Sequence, residues 1–200
     1  VTPMAAVAGA VAESVLAALV NNRNLSRAYV NNGGDIALYL GRGTSLSTAI
    51  KGHGGRDLGR IQIDAIDQIG GIATSGRPGR SHSLGIAESV TVLSPSAAAA
   101  DVAATLIANA VDLPGHPAIT RRAACDLDEA SDLGDLPVVT GCDPLSAAEC
   151  TRALDAGKRR ADDFQRQGLI NMAALFLQGH VATSPFYLLT PSKEPIHVQA

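Results

Sequence analysis

Tryptophan is absent, and aromatic residues make up only 3% of the 200-residue chain. A surface that binds single-stranded nucleic acid stacks bases on aromatic faces, so that class has little support here. An excess of positive charge is also missing. Sixteen Lys and Arg against 19 Asp and Glu give a formal net charge of −3, so nothing draws a polyanion to the chain. The pairs Arg121–Arg122 and Arg159–Arg160 read as solvated surface. Cysteine is scarce and odd in number. Cys125, Cys142 and Cys150 match no zinc spacing and read as reduced structural thiols. The longest apolar stretch, Met4 to Val20, carries Glu13 and falls short of the roughly 20 residues of a membrane span. No signal-peptide pattern, Walker loop, GxSxG elbow, metal-type His pair or internal repeat is found in the sequence. The expectation is a soluble cytoplasmic protein with neither nucleic acid nor membrane as partner.

What remains is globular in character: 46% hydrophobic residues and 18% charged, with a core built from Ala, Val, Ile and Leu. Residues 3–20 predict a helix, with Thr2 as its cap and Pro3 in its first turn. Ala28–Asn31 and Asp35–Leu40 predict two strands joined by the turn signal NNGG. TAIKG, GRIQIDAID, GIATS and ESVTVLS predict further strands, and residues 94–111 a second helix capped by Ser94 or Ser96. Residues 112–148 are rich in Asp, Pro and Gly and read as ordered loop with one short strand, PVVTG. Ser146 and Glu149 form a capping-box pattern at the start of a third, amphipathic helix. LINMAALFLQGHVATS is compatible with a buried helix or a strand pair. The tail from 184 reads as partly disordered or as an edge pairing. The chain opens VTPMAAVAGAV, an apolar element with no lead-in; this reads as a GTG start or as the start of a fragment.

Three patterns can carry chemistry. Asp101 and Thr105 stand four apart on the second helix, so they share a face and could offer hard oxygen ligands for Mg²⁺ or Ca²⁺; by spacing alone the commoner reading comes first, Asp101 as a first-turn acid favoured by the helix dipole and Thr105 simply packing. ATSGRPGR, residues 73–80, concentrates donors: Thr74, Ser75 and backbone amides with Arg77 or Arg80 could hold phosphate oxygens, or the segment is a polar hairpin loop. In NNGGD, Asp35 opens an apolar strand and requires a partner if buried. Among five His, His82, flanked by Ser81 and Ser83, is the one candidate for acid–base work, against the commoner reading of a surface or hydrogen-bonded structural His.

Taken in order, PMAAVAGAVAE, VNNGGDIAL, GIATSGRPGRSHSLGIAESVTVL, AAADVAATLIANAV, SDLGDLPVVTG and ALDAGKRRADDFQRQGLINMAALFLQG resemble the UPF0280 family over about residues 2–182. That family is related to the ApbE flavin transferases, which bind FAD and a divalent metal, transfer FMN to a Ser or Thr of a partner protein and in some cases hydrolyse FAD. The resemblance implies a single ApbE-like domain over residues 1–183 of α+β class, with mixed sheets packed by Ala-rich helices. It matches Gly33, Gly34 and Asp35 to the family's GGD loop, Ala73 to Gly76 to its ATSG loop, and Asp101 with Thr105 to its metal pair. It also implies a backbone oxygen near the metal around Ala6 to Ala8. The ApbE segment H-I-I-D-P-x-T-G has no counterpart here, and His82 is a weak substitute for it. Ala8 stands where ApbE proteins carry Lys. UPF0280 proteins also have a region ahead of PMAAVAG that these residues lack, which would leave an apolar surface inviting homo-oligomerisation. The expected function is binding of FAD, FMN or another phosphorylated ligand with a divalent metal, with FMN transfer to an acceptor protein or FAD hydrolysis. The alternatives are a non-catalytic binding or assembly module on the same scaffold, and an enzyme acting on a non-flavin small molecule with Asp35, Arg80 and His82 in its cleft.

Overall fold

A two-residue turn sets one margin of the main sheet. β1 (Arg27–Asn32) and β2 (Asp35–Leu40) pair antiparallel with Asn32 opposite Asp35, so only Gly33 and Gly34 lie between them. Their φ angles of 70° and 115° are those of a type I′ turn, a conformation that side chains resist and glycine does not. Gly34 N also donates to Asn31 Oδ1 at 2.9 Å. The computed structural model describes residues 2–51, 57–79 and 81–185. The expectation for the tail beyond 185 lies outside the described residues.

β3 (Ser45–Lys51) and β4 (Asp57–Asp64) form a separate antiparallel hairpin. β5 (Gly71–Ser75) and β6 (Ser89–Ser94) return to the main sheet and lead into α2 (Ala97–Ala110). β7 (Ile119–Ala123) and β8 (Pro137–Cys142) make a second small hairpin, and α3 (Ala147–Arg166) precedes β9 (Met172–Leu177) and β10 (His180–Ser184). The main sheet has six strands in the order β1-β2-β5-β6-β9-β10, every neighbouring pair antiparallel. The class is α+β, as expected.

The helices cover one face of the sheet. α1 (Val7–Val20) lies over β1 and β2, α2 over β2, β5 and β6, and α3 over β9 and β10. Strand alternation sorts the side chains between the two faces. Ala73, Val90, Val92, Ala173 and Leu175 pack with Ile107 and Leu154 on the helix side. Ile72, Leu93, Ala174 and Phe176 pack with Ile50, Ile61 and Ile63 of the β3–β4 hairpin on the other. With almost no aromatic bulk, the layers close through small residues. A Cβ on Gly9 of α1 would stand 2.4 Å from Ala97 O of α2, so these two helices meet backbone to backbone.

Several sequence expectations change. Pro3–Ala6 is a 3-10 turn ahead of α1, and the Thr2 hydroxyl donates to Asp132 and makes no cap bond. Ser96, not Ser94, caps α2 by accepting from Ala99 N at 3.2 Å, while Ser94 Oγ donates to Leu169 O at 2.9 Å. Asp101 stands beyond the first turn of α2, so a first-turn dipole role does not apply. Residues 112–148 hold two strands, not one. β7 was hidden because its two consecutive arginines break the pattern of a strand. Arg121 is also not solvated: it turns inward, and its guanidinium donates at 2.6 Å to Leu84 O and to Asp112 Oδ1. LINMAALFLQGHVATS resolves into the β9–β10 hairpin through Gln178 and Gly179, both at positive φ. Every residue of β9 is buried, so no alternation could mark it as a strand. The Ser146–Glu149 box forms as expected, with Ser146 N donating to Glu149 Oε2 at 2.8 Å.

Pro3–Val20 is long and apolar enough to cross a membrane by length and composition, although Met4–Val20 alone read as too short.

Candidate functional site

Where the N-terminal ends of α1 and β2 meet α2, the surface opens into a cleft of about 610 Å³, a volume suited to a small-molecule ligand. One wall is α2, where Asp101, Thr105 and Asn109 follow one another at intervals of four on a single helix face. Ala5 and Ala8 form a second wall, Asp35 stands at the start of β2, and Ser81 with His82 closes one side. The loop Asp128–Leu133 completes the rim with two further carboxylates, Asp128 and Asp132.

Asp101 is held between two helices. Its Oδ2 accepts from Gly9 N at 2.9 Å, one of the first-turn amides of α1 that have no partner within their own helix. Burial pushes its carboxyl above the ordinary aspartate range, and the Gly9 hydrogen bond pulls it part of the way back. Glu13 of α1 reciprocates: its Oε1 accepts from Ala97 N at 2.6 Å and Ala98 N at 3.3 Å at the start of α2. Asn32 Nδ2 donates to Ala8 O at 3.1 Å and ties β1 to the same corner.

The His82 side is braced from two directions. Asn109 Oδ1 accepts from Leu84 N at 2.9 Å, and Arg121 donates to Leu84 O. Val139 N donates to Ser83 O at 2.8 Å, so β8 steadies the same segment. Ser81 and His82 themselves are exposed at the cleft.

Of the residues singled out from sequence, Asp35, His82, Asp101 and Thr105 converge on this one cleft from three separate stretches of chain. Gly33 and Gly34 form the turn just ahead of Asp35. Residues 73–77 are placed differently and do not line the cleft. Ala73 is fully buried in the core. The Thr74 hydroxyl lies 2.9 Å from that of Thr91 in a cross-strand pair, on the sheet face that carries Ile72 and away from the helices. Ser75 is the last residue of β5, opposite Val90. Gly76 passes so close to the next strand that a Cβ would meet Glu88 O at 2.5 Å. Arg77 N donates to Ala87 O at 2.8 Å, and its charge acts on Cys142, opposing the upward push of burial on that thiol. Arg80 lies outside the described residues. Asn109, Asp128 and Asp132 were not picked out from sequence. Asn109 had a usable signal, since it extends the four-residue spacing of Asp101 and Thr105 by one step. The two loop aspartates had none, because only tertiary folding brings them there.

The family model described as AbpE bacteria matches residues 1–183, and the chain belongs to this family. Its curated relatives are UPF0280 proteins. That of Methanocaldococcus jannaschii is 40% identical over 116 residues, 55% of this chain and 45% of the relative. That of Methanopyrus kandleri is 37% identical over 137 residues, 68% of this chain and 53% of the relative. The chain spans about half the length of the curated relatives it matches. An ApbE-related scaffold accords with the order of motifs in the sequence.

Two oxygen-bearing side chains here could face a hard divalent cation. Asp101, its carboxylate oriented by Gly9, and Thr105 on the same face could offer it oxygen ligands. Among the described residues no group of three or more His, Cys, Asp or Glu could hold a metal ion. Such a cation would therefore complete its shell with waters or ligand oxygens, the habit of Mg²⁺ more than of zinc.

Proposed function

We propose that this chain binds a phosphorylated small molecule together with a divalent metal in the α1–α2 cleft. One observation carries the reading: Asp101, with its Oδ2 fixed by Gly9 N at 2.9 Å, shares one helix face and one cleft with Thr105, and His82 lines the same cleft. A divalent cation beside Asp101 would offset the charge of an anionic ligand. Asp101 and Thr105 would hold that cation, which supplies charge neutralisation and polarises a phosphate oxygen. The Gly9 amide orients the carboxylate, and His82, which also lines the cleft, would exchange a proton with the bound ligand. A flavin nucleotide, FAD or FMN, is the ligand favoured by the ApbE relationship, with FAD hydrolysis or FMN transfer to an acceptor protein as the reaction.

Calorimetric titration with FAD, with and without Mg²⁺, followed by mass analysis of the nucleotide, tests this. Metal-dependent binding with FMN and AMP appearing is the expected result. Binding without turnover would make the chain a ligand-binding module. No binding in either condition would remove the flavin assignment.

A further inference from the structure

Asn109 faces two ways. It ends the series Asp101, Thr105, Asn109 on the cleft face of α2. Its Oδ1 is in use: Leu84 N donates to it at 2.9 Å, and the Ser83 hydroxyl donates at 3.4 Å. A backbone N–H can only donate, so the atom toward Leu84 is the oxygen, and the amide nitrogen turns the other way. Both hydrogen bonds of this side chain are thus made by Oδ1, and Nδ2 donates to no described residue. Nor is Nδ2 sealed in the interior. The buried side-chain atoms without a partner among the described residues are Arg77 Nε, Ser89 Oγ and Asn171 Oδ1. An accessible, unused N–H2 group therefore stands at the cleft, the one side-chain amide among the described residues that line it. Its orientation is fixed from behind, because Arg121 donates at 2.6 Å to Leu84 O and holds the segment that holds Oδ1.

We propose that Asn109 is a specificity-determining residue whose Nδ2 donates to a ring carbonyl oxygen of the bound ligand. The proposal rests on the reading of the cleft as a site for a phosphorylated ligand with a divalent cation at Asp101. Asn109 follows Asp101 by eight residues, which sets it roughly 12 Å further along the helix axis. One phosphate does not span that distance, so the amide meets a different part of the ligand. The cleft lining beside it is Leu84, bonded to Asn109, with His82 two residues earlier. An apolar side chain next to a single oriented donor suits the edge of a carbonyl-bearing heterocycle. The polarity of that donor is fixed. A hydroxyl such as that of Thr105 gives or accepts a hydrogen bond, whereas an amide N–H2 only gives one. An acceptor at this place is favoured and an amine is opposed. The ligand class is therefore a phosphorylated molecule with a carbonyl-bearing ring, a description that flavin and uracil nucleotides both meet.

The test is calorimetric titration of the full 200-residue chain, in Mg²⁺, with FMN and its 2-thio and 4-thio analogues. Each analogue keeps the charge and replaces one ring carbonyl oxygen by sulfur, a weaker acceptor. Uridine 5′-monophosphate and its 2-thio and 4-thio analogues are titrated alongside. The expected result is that one thio analogue of a series binds on the order of 10-fold more weakly than its parent, the effect of one accessible hydrogen bond. Asn109→Asp should abolish that discrimination. Its carboxylate still accepts from Leu84 N but has no N–H to give, and its charge acts equally on parent and analogue. Far-UV circular dichroism reports folding, and Asn109→Ser, which also removes the amide, replaces a variant that does not fold. Discrimination in the uridine series without FMN binding keeps Asn109 in this role and removes the flavin reading. Parents and analogues that bind the native protein equally overturn the proposal and leave the cleft as a ligand site. Discrimination that survives loss of the amide also overturns it. Failure of both nucleotides to bind overturns it together with the reading of the cleft.

Discussion

Gly9 N donates to Asp101 Oδ2 at 2.9 Å, and one helical turn further along α1 Glu13 accepts from Ala97 N. Each helix thus supplies the carboxylate that its neighbour's N-terminal amides need. Asp101 is both part of the helix contact and a wall of the cleft.

Asp101→Asn separates these roles. The amide oxygen can still accept from Gly9 N, while the negative charge is lost. The expected outcome is a near-unchanged melting temperature and loss of Mg²⁺-dependent ligand binding by calorimetry. Unchanged Mg²⁺ dependence would remove Asp101 from the metal site.

The raised pKa of Asp101 gives that binding a pH signature. Proton and cation compete for the carboxylate, so Mg²⁺ affinity should decline with falling pH before the ordinary aspartate range is reached. The folded protein holds this proton more tightly than the unfolded chain. Asp101 therefore favours folding at acid pH, and that contribution fades as pH rises through its folded value. Calorimetric Mg²⁺ titration at stepped pH, with urea unfolding at the same pH values, compares the native protein with Asp101→Asn and reads both effects.

Glu149 has the opposite sign. Hydrogen bonds from the Ser146 side chain and amide, then from His116 at 2.9 Å, lower its pKa to about 2. Its contribution is complete above the unfolded value of about 4.3 and is lost as pH falls toward 2. Glu149→Gln should flatten the acid limb of stability against pH. At neutral pH, Ser146→Ala should cost about 1 kcal/mol in urea unfolding through loss of the N-cap.

Gly9→Ala tests the closeness of α1 and α2. The new methyl would meet Ala97 O at 2.4 Å, and backbone cannot move aside cheaply. A loss of about 1–3 kcal/mol is expected, with weaker metal binding because the Gly9–Asp101 hydrogen bond is displaced. A stability within error of the native protein would show that the helices separate freely.

Arg121→Met leaves Leu84 O and Asp112 without their donor, at a cost of about 1–3 kcal/mol. Hydrogen exchange should speed up at residues 81–86, the segment that carries His82, more than in β9. Uniform acceleration throughout the chain would mean that Arg121 serves global stability alone.

Local chemistry made much of the architecture legible. Gly33–Gly34 favoured a tight turn with positive φ, the Ser146–Glu149 spacing marked a helix start, and alternation in GRIQID marked a strand. These signals arise between residues a few positions apart, where backbone sterics and hydrogen bonding act without help from the fold. The four-residue spacing of Asp101 and Thr105 likewise put both on one helix face before any tertiary contact was known. Other features depended on contacts far along the chain. Burial on both faces erased the alternation of β9, and β7 became a strand by pairing with β8. Thr74 read as a ligand donor until the β5–β6 register set it against Thr91. Asp128 and Asp132 reach the cleft only because their loop folds over the start of α1. The sequence by itself determined most of the elements, the Ser146–Glu149 cap and the Asp101–Thr105 spacing, since these follow from periodicity and local sterics. Only the tertiary structure decided which carboxylates share a cleft, because that follows from how the layers pack.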